Sequence, residues 1–88
     1  MIDMYKVSWG DKARSDFKKM TRKLALEIEE KVEQYLAKSP RELGKLLTPG
    51  RNGIYSHRHG DYRILYRILE SEKTIVISKI GHRREVYD

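Results

Sequence analysis

Between Asp11 and Lys38 no glycine or proline interrupts the chain, and the apolar residues there keep a helical period. Ala13, Phe17, Met20, Leu24, Ile28, Val32 and Tyr35 recur at three- and four-residue spacing, with Leu36 beside the last. One such stripe predicts helices with a single face to bury. Thr21 can open a second helix, so the stretch reads as a short helix and a longer one, with Asp11 as the first cap. Ser39-Pro40 then stops the second, because proline disfavours the helical region for the residue before it.

On either side of this stretch the period changes to two. Tyr5-Lys-Val-Ser-Trp9 alternates as a half-buried strand does. After a loop punctuated by Gly44, Pro49-Gly50 and Asn52-Gly53, the runs Ile54–His59 and Tyr62–Leu69 flank a reversal at Gly60-Asp61. Ser71-Glu72-Lys73 turns the chain into Thr74–Ile80, rich in β-branched residues. The order β-α-α-β-β-β predicts an α+β fold: an antiparallel sheet with a two-helix hairpin on one face. Eighty-eight residues hold one such unit, so residues 1–88 read as a single domain.

Charge narrows the function. Nineteen Lys+Arg against 13 Asp+Glu leave a net +6, and from Lys45 to Leu69 five basic residues face one acid, Asp61. That is the footprint of a protein that meets a polyanion, although solubility charge on a small surface is the plainer alternative. The absence of cysteine excludes a disulfide framework and thiolate metal sites. No apolar run reaches the length of a membrane span, and the opening residues lack a signal-peptide pattern, so a cytoplasmic protein without a membrane partner is expected.

No Gly-rich phosphate loop, HExxH motif or carboxylate cluster is present, and no metal or other cofactor is expected. His57 and His59 share a strand face, a spacing open to a weak metal pair, but two solvated histidines are the plainer reading. What remains is arginine. By strand parity Arg63, Leu65 and Arg67 share one face of their strand, and Tyr62, Ile64, Tyr66 and Ile68 share the other. The second face should pack on the helices. The first should present planar guanidinium forks on the open side of the sheet, with Arg58 across the hairpin. Cations near a histidine and a tyrosine suit metal-free RNA cleavage: a base takes the 2′-OH proton, cations stabilise the phosphorane, and an acid protonates the departing 5′-oxygen.

The segments Gly53-Ile-Tyr-Ser-His-Arg58, Gly60-Asp-Tyr-Arg-Ile-Leu-Tyr66, Gly81-His-Arg83 and Glu85-Val-Tyr87 together resemble the RelE/ParE superfamily of bacterial and archaeal toxins. They lie nearer to its RelE and YoeB ribonucleases than to ParE. The resemblance also takes in Tyr5, Ala13, Leu36…Pro40 and Lys45-Leu46. It implies the toxin of a type II toxin–antitoxin system, an mRNA interferase that cuts messenger RNA in the ribosomal A site without a metal. Such enzymes leave 2′,3′-cyclic phosphate and 5′-hydroxyl ends. The partners implied are a RelB- or YefM-like antitoxin, mRNA, and the ribosome with its 16S rRNA.

Carried over by position, Arg63 matches the arginine that binds the scissile phosphate, Arg83 the second catalytic arginine, and Tyr87 the tyrosine that stacks on or orients the substrate. His82 matches a histidine that several relatives use as acid or base. Lys45, Arg51, His57, Arg58 and Arg67 are the expected RNA contacts. Two departures stand out. The two strand lysines of RelE read here as Ser56 and Arg58, and residues 43–60 contain no counterpart of the YoeB glutamate. The expected base is therefore His82, with His57, His59 or no true base as alternatives. A ParE-like toxin that inhibits DNA gyrase by protein contact is the rival reading.

Overall fold

The computed structural model describes residues 4–47 and 53–82. Strand β1 (Lys6–Trp9) leads into helices α1 (Asp11–Lys18) and α2 (Arg22–Lys31); a π-type turn, Val32–Leu36, extends α2. A short helix α3 (Pro40–Leu43) precedes β2 (Lys45–Leu46), β3 (Ile54–His59), β4 (Tyr62–Leu69) and β5 (Thr74–His82). The five strands lie in the order β1-β5-β4-β3-β2. The fold is the expected α+β arrangement of a sheet with helices.

The predicted antiparallel meander is β3-β4-β5, and β2 extends it along the β3 edge. On the other side the sheet departs from the expectation: β1 pairs in parallel with β5, Lys6 opposite Thr74 through Trp9 opposite Ile77. A parallel neighbour needs a long crossover, and here everything between β1 and β5 supplies it. Because β1 stops opposite Ile77, the outer edge of β5 is uncovered beyond it. Asp16 of α1 reaches across and accepts the Ile80 amide at 2.9 Å. This carboxylate is buried and also meets Lys12 Nζ at 3.0 Å, so a backbone donor without a strand partner is satisfied from a helix.

The core joins Ala13, Ile28, Val32 and Leu36 of the helical stripe to Ile64, Tyr66, Ile75, Ile77 and Ile80 of the sheet. Ile77 and Ile80 both point inward although three residues apart, because β5 is bulged opposite the Leu65–Tyr66 step. Tyr35 leaves the predicted stripe: it is exposed, with Lys31 Nζ 5.0 Å above its ring.

One helix cap differs from expectation, and α3 adds a short helix to it. Thr21 does cap α2, accepting the Leu24 amide at 3.2 Å. The cap of α1, however, is Gly10 and not Asp11. The Gly10 amide donates to the Ile77 carbonyl, and a Cβ there would come within 3.1 Å of that oxygen, so a residue without one occupies the cap. Asp11 instead sits in the first turn, where its charge suits the helix N-terminus. Pro40 follows the end of the long helix but also opens α3 at its first turn, where its missing N–H costs nothing.

Candidate functional site

The hairpin register decides which side chains share a face. Arg58 lies directly opposite Arg63, Ser56 opposite Leu65, and Lys45 opposite Ser56. These residues stand on the face of the sheet away from the helices. There Lys45, Leu47, Ser56, Arg58 and Arg63 line a cavity of about 310 Å³. No carboxylate is among those lining residues. Gly81 pairs with Arg63 from the far side and offers it no side chain. The Arg58 Nε donates to the Gly60 carbonyl at 3.2 Å, which draws this guanidinium back over the turn. Like charges directly opposite on paired strands are unfavourable, and an anion between them reverses the sign of that term. Arg67 shares the face, opposite Ile54, but is not among the residues lining the cavity.

The histidines lie elsewhere. His57 is opposite Ile64, His59 opposite Tyr62, and His82 opposite Tyr62 from the other side, so all three belong to the helix-covered face. His57 Nδ1 is 2.8 Å from the Leu43 carbonyl, and His59 Nε2 is 3.6 Å from Glu27 Oε1. The His82 ring meets that of Tyr62 edge-on, centroids 5.9 Å apart. It borders a second cavity, about 220 Å³, shared with Lys12, Asp16, Lys19, Met20 and Tyr62. His82, the expected base, is thus on the opposite side of the sheet from Arg63. Arg51, Arg83 and Tyr87 lie outside the described residues.

Lys45 reaches the cavity because several bonds tether its segment. Tyr66 Oη donates to the Pro40 carbonyl at 2.6 Å, and burial pushes this hydroxyl up, with the neighbouring Tyr55 adding to the effect, so it remains a donor. Arg41 donates to Glu70 at 2.6 Å and to Tyr55 Oη at 3.2 Å. Tyr5 Oη donates to the other Glu70 oxygen at 2.7 Å. The Arg41 hydrogen bond, then that of Tyr5, holds the Glu70 carboxyl below its ordinary value, and the same contact raises Arg41. Sequence reasoning passed over Arg41, Glu70 and Asp16, whose tertiary partners lie 14 to 65 residues away. Only the fold brings them together.

Three comparisons bear on this arrangement. Residues 7–87 match the model of a family described as the ParE toxin of the type II toxin–antitoxin system parDE. Among individual proteins, the chain is 34% identical to toxin RelG of Mycobacterium tuberculosis over 83 residues, covering 94% of this chain and 95% of that one. It is 32% identical to toxin RelE of the same organism, covering 94% and 86%. Among solved structures, it superposes on a chain of the M. tuberculosis toxin–antitoxin complex RelBE2 with a TM-score of 0.87 and 32% identity, covering 94% of this chain and 95% of that one. A chain of the intact Escherichia coli RelBE complex shares the fold at a TM-score of 0.72 and 20% identity, covering 89% and 95%.

Proposed function

The chain belongs to the ParE toxin family of type II toxin–antitoxin systems, as a RelE-like toxin, and from that premise we propose that it is a ribosome-dependent endoribonuclease that cuts mRNA without a metal. One observation carries the proposal: Lys45, Arg58 and Arg63 surround a cavity on the open sheet face that has no acid among its described lining residues. Three cations around one hollow suit a phosphodiester whose charge grows as the 2′-oxygen attacks. The same set offers a divalent ion no carboxylate ligand.

Arg63 takes the scissile phosphate bidentately, and Arg58 and Lys45 neutralise the phosphorane from the neighbouring strands. Arg83 supplies a second phosphate contact and Tyr87 an aromatic face for a base; Arg51 and Arg67 extend the cationic track along the RNA. Among the described residues no imidazole faces this cavity, so the reading rests on preorganised cations rather than on His82 as base. The inhibitor is a RelB-like antitoxin, by analogy with the relatives solved as RelBE complexes.

The family model carries the ParE name, which favours a second reading, inhibition of DNA gyrase by protein contact. End analysis separates the two. The purified chain, added to translating ribosomes, is expected to yield mRNA fragments with 2′,3′-cyclic phosphate and 5′-hydroxyl ends, and to leave gyrase supercoiling unchanged. Fragments ending in 3′-hydroxyls would exclude the proposed chemistry. Intact mRNA together with blocked supercoiling would establish the gyrase reading.

A further inference from the structure

The segment that carries Lys45 has little intrinsic stability. Its helix α3 is four residues long and its strand β2 only two, at the sheet edge. Helices this short are not stable alone, so side-chain anchors must hold the segment. Tyr66 holds its start at Pro40 and Arg41 is tied to Glu70. The anchor nearest Lys45 is His57, at the Leu43 carbonyl.

A carbonyl oxygen only accepts, so the imidazole donates from Nδ1, and in the neutral ring Nε2 is then the bare acceptor. That Nε2 is buried and has no hydrogen-bond partner among the described residues. The ring also stands on the helix-covered face, opposite Ile64, away from the cavity. An acceptor nitrogen in that position cannot take a proton from RNA on the open face. A buried polar atom left unsatisfied is a standing cost, and it calls for a role for the rest of the ring.

We propose that His57 is a positioning residue: its Nδ1–H holds the Leu43 carbonyl and thereby sets Lys45 against Arg58 and Arg63 for an RNA phosphate. This rests on the ribonuclease reading for its substrate, but the anchoring can be tested apart from it. The two amide replacements discriminate, because the nitrogen of asparagine overlays Nδ1 of histidine while that of glutamine overlays Nε2. His57→Ala and His57→Gln are expected to slow mRNA cleavage by about ten-fold, since small misplacements of a binding group cost rate steeply. His57→Asn should recover most of that loss. In a Lys45→Ala background the difference between His57→Gln and His57→Asn should shrink to near unity.

Amide exchange supplies a readout that needs no cleavage. The Leu47 amide, which bonds the Ile54 carbonyl at 2.9 Å, should exchange faster in His57→Gln than in His57→Asn or the unmodified protein. Glutamine as active as asparagine, or equal Leu47 exchange in both, overturns the proposal. So does a His57 effect that persists undiminished without Lys45, since His57 would then act elsewhere. If the unmodified chain cleaves no RNA, the ribonuclease reading falls, and the exchange measurement alone decides whether His57 anchors the segment.

Discussion

On one face of β4, Ile64 and Tyr66 are fully buried beneath the helices; on the other, the alternating Arg63 is half-buried and Arg67 exposed. Eight consecutive residues thus serve two environments, separated only by the pleat. The buried face is set by volume and by hydrogen bonds that must be closed, as Tyr66 closes on Pro40. The open face is set by charge, with two arginines opposite one another where packing alone favours neither. A substitution on the first face should therefore be read chiefly in stability, and one on the second chiefly in activity.

The sharpest test of that division pairs neighbours on opposite faces. Tyr66→Ala removes a fully buried ring and an anchor of α3, and should lose ~3–5 kcal/mol of stability. RNA cleavage should then fall mainly with the loss of folded protein, and by a further, smaller factor because the Pro40 anchor of the Lys45 segment is gone. Arg63→Ala should cost much less stability, ~1 kcal/mol, as is usual for a single substitution outside the core. Its cleavage rate should fall ~10²-fold or more, as expected for loss of a preorganised charge. Urea unfolding of both variants, beside cleavage rates at equal folded concentration, checks the pair. An Arg63→Ala protein as unstable as Tyr66→Ala would end the division.

A smaller effect is expected where the two faces communicate, at Gly44. Its backbone angles are ordinary, but a Cβ there would collide with the Tyr66 hydroxyl and crowd its ring. Glycine is required by this close approach and not by the turn. Gly44→Ala should cost ~1–3 kcal/mol, the usual range for overpacking. It should also displace Lys45, the next residue, and slow cleavage beyond the loss of folded protein. Adding Tyr66→Phe removes the hydroxyl and should restore part of both. A double variant no better than Gly44→Ala would place the strain elsewhere.

How much of this is legible in the sequence follows from the same contrast. Alternation within β4 gives both faces directly, and the two-residue turn at Gly60-Asp61 sets Arg58 opposite Arg63. Features that depend on distant pairing are hidden. The parallel union of β1 with β5 spans nearly the whole chain, and Asp16 reads as a surface helix residue until β1 proves too short to cover Ile80. The face of His82 depends on the bulge in β5, where the alternation slips after Ile77. Simple alternation from Ile75 and Ile77 would put His82 on the open face; the break of period between Ile77 and Ile80 is the one trace of the slip. Strand alternation thus reads faces directly within a hairpin and needs the pairing register across a bulge.

The smallest expected effect lies at the end of the sheet near α3, where Arg41, Tyr5 and Lys73 converge on Glu70. The contact from Arg41 is short, but these side chains are open to solvent, so their electrostatic contribution is screened. Its sign is still determinate. The folded protein holds the Glu70 carboxyl below the ordinary carboxylate value of 4.5, chiefly through the Arg41 hydrogen bond. The associated stability is therefore fully present above that ordinary value and is lost as the pH falls through the lower, folded one. Glu70→Gln should remove this part of the acid dependence and leave the urea midpoint at neutral pH slightly lowered. In acid the two proteins should converge, because the unmodified carboxyl is then neutral as well. The cleavage rate at neutral pH should fall modestly, since Tyr66 and His57 still hold α3 at Pro40 and Leu43. A Glu70→Gln protein that loses cleavage as severely as Arg63→Ala would show that this exposed tether, and not the buried ones, sets the position of Lys45.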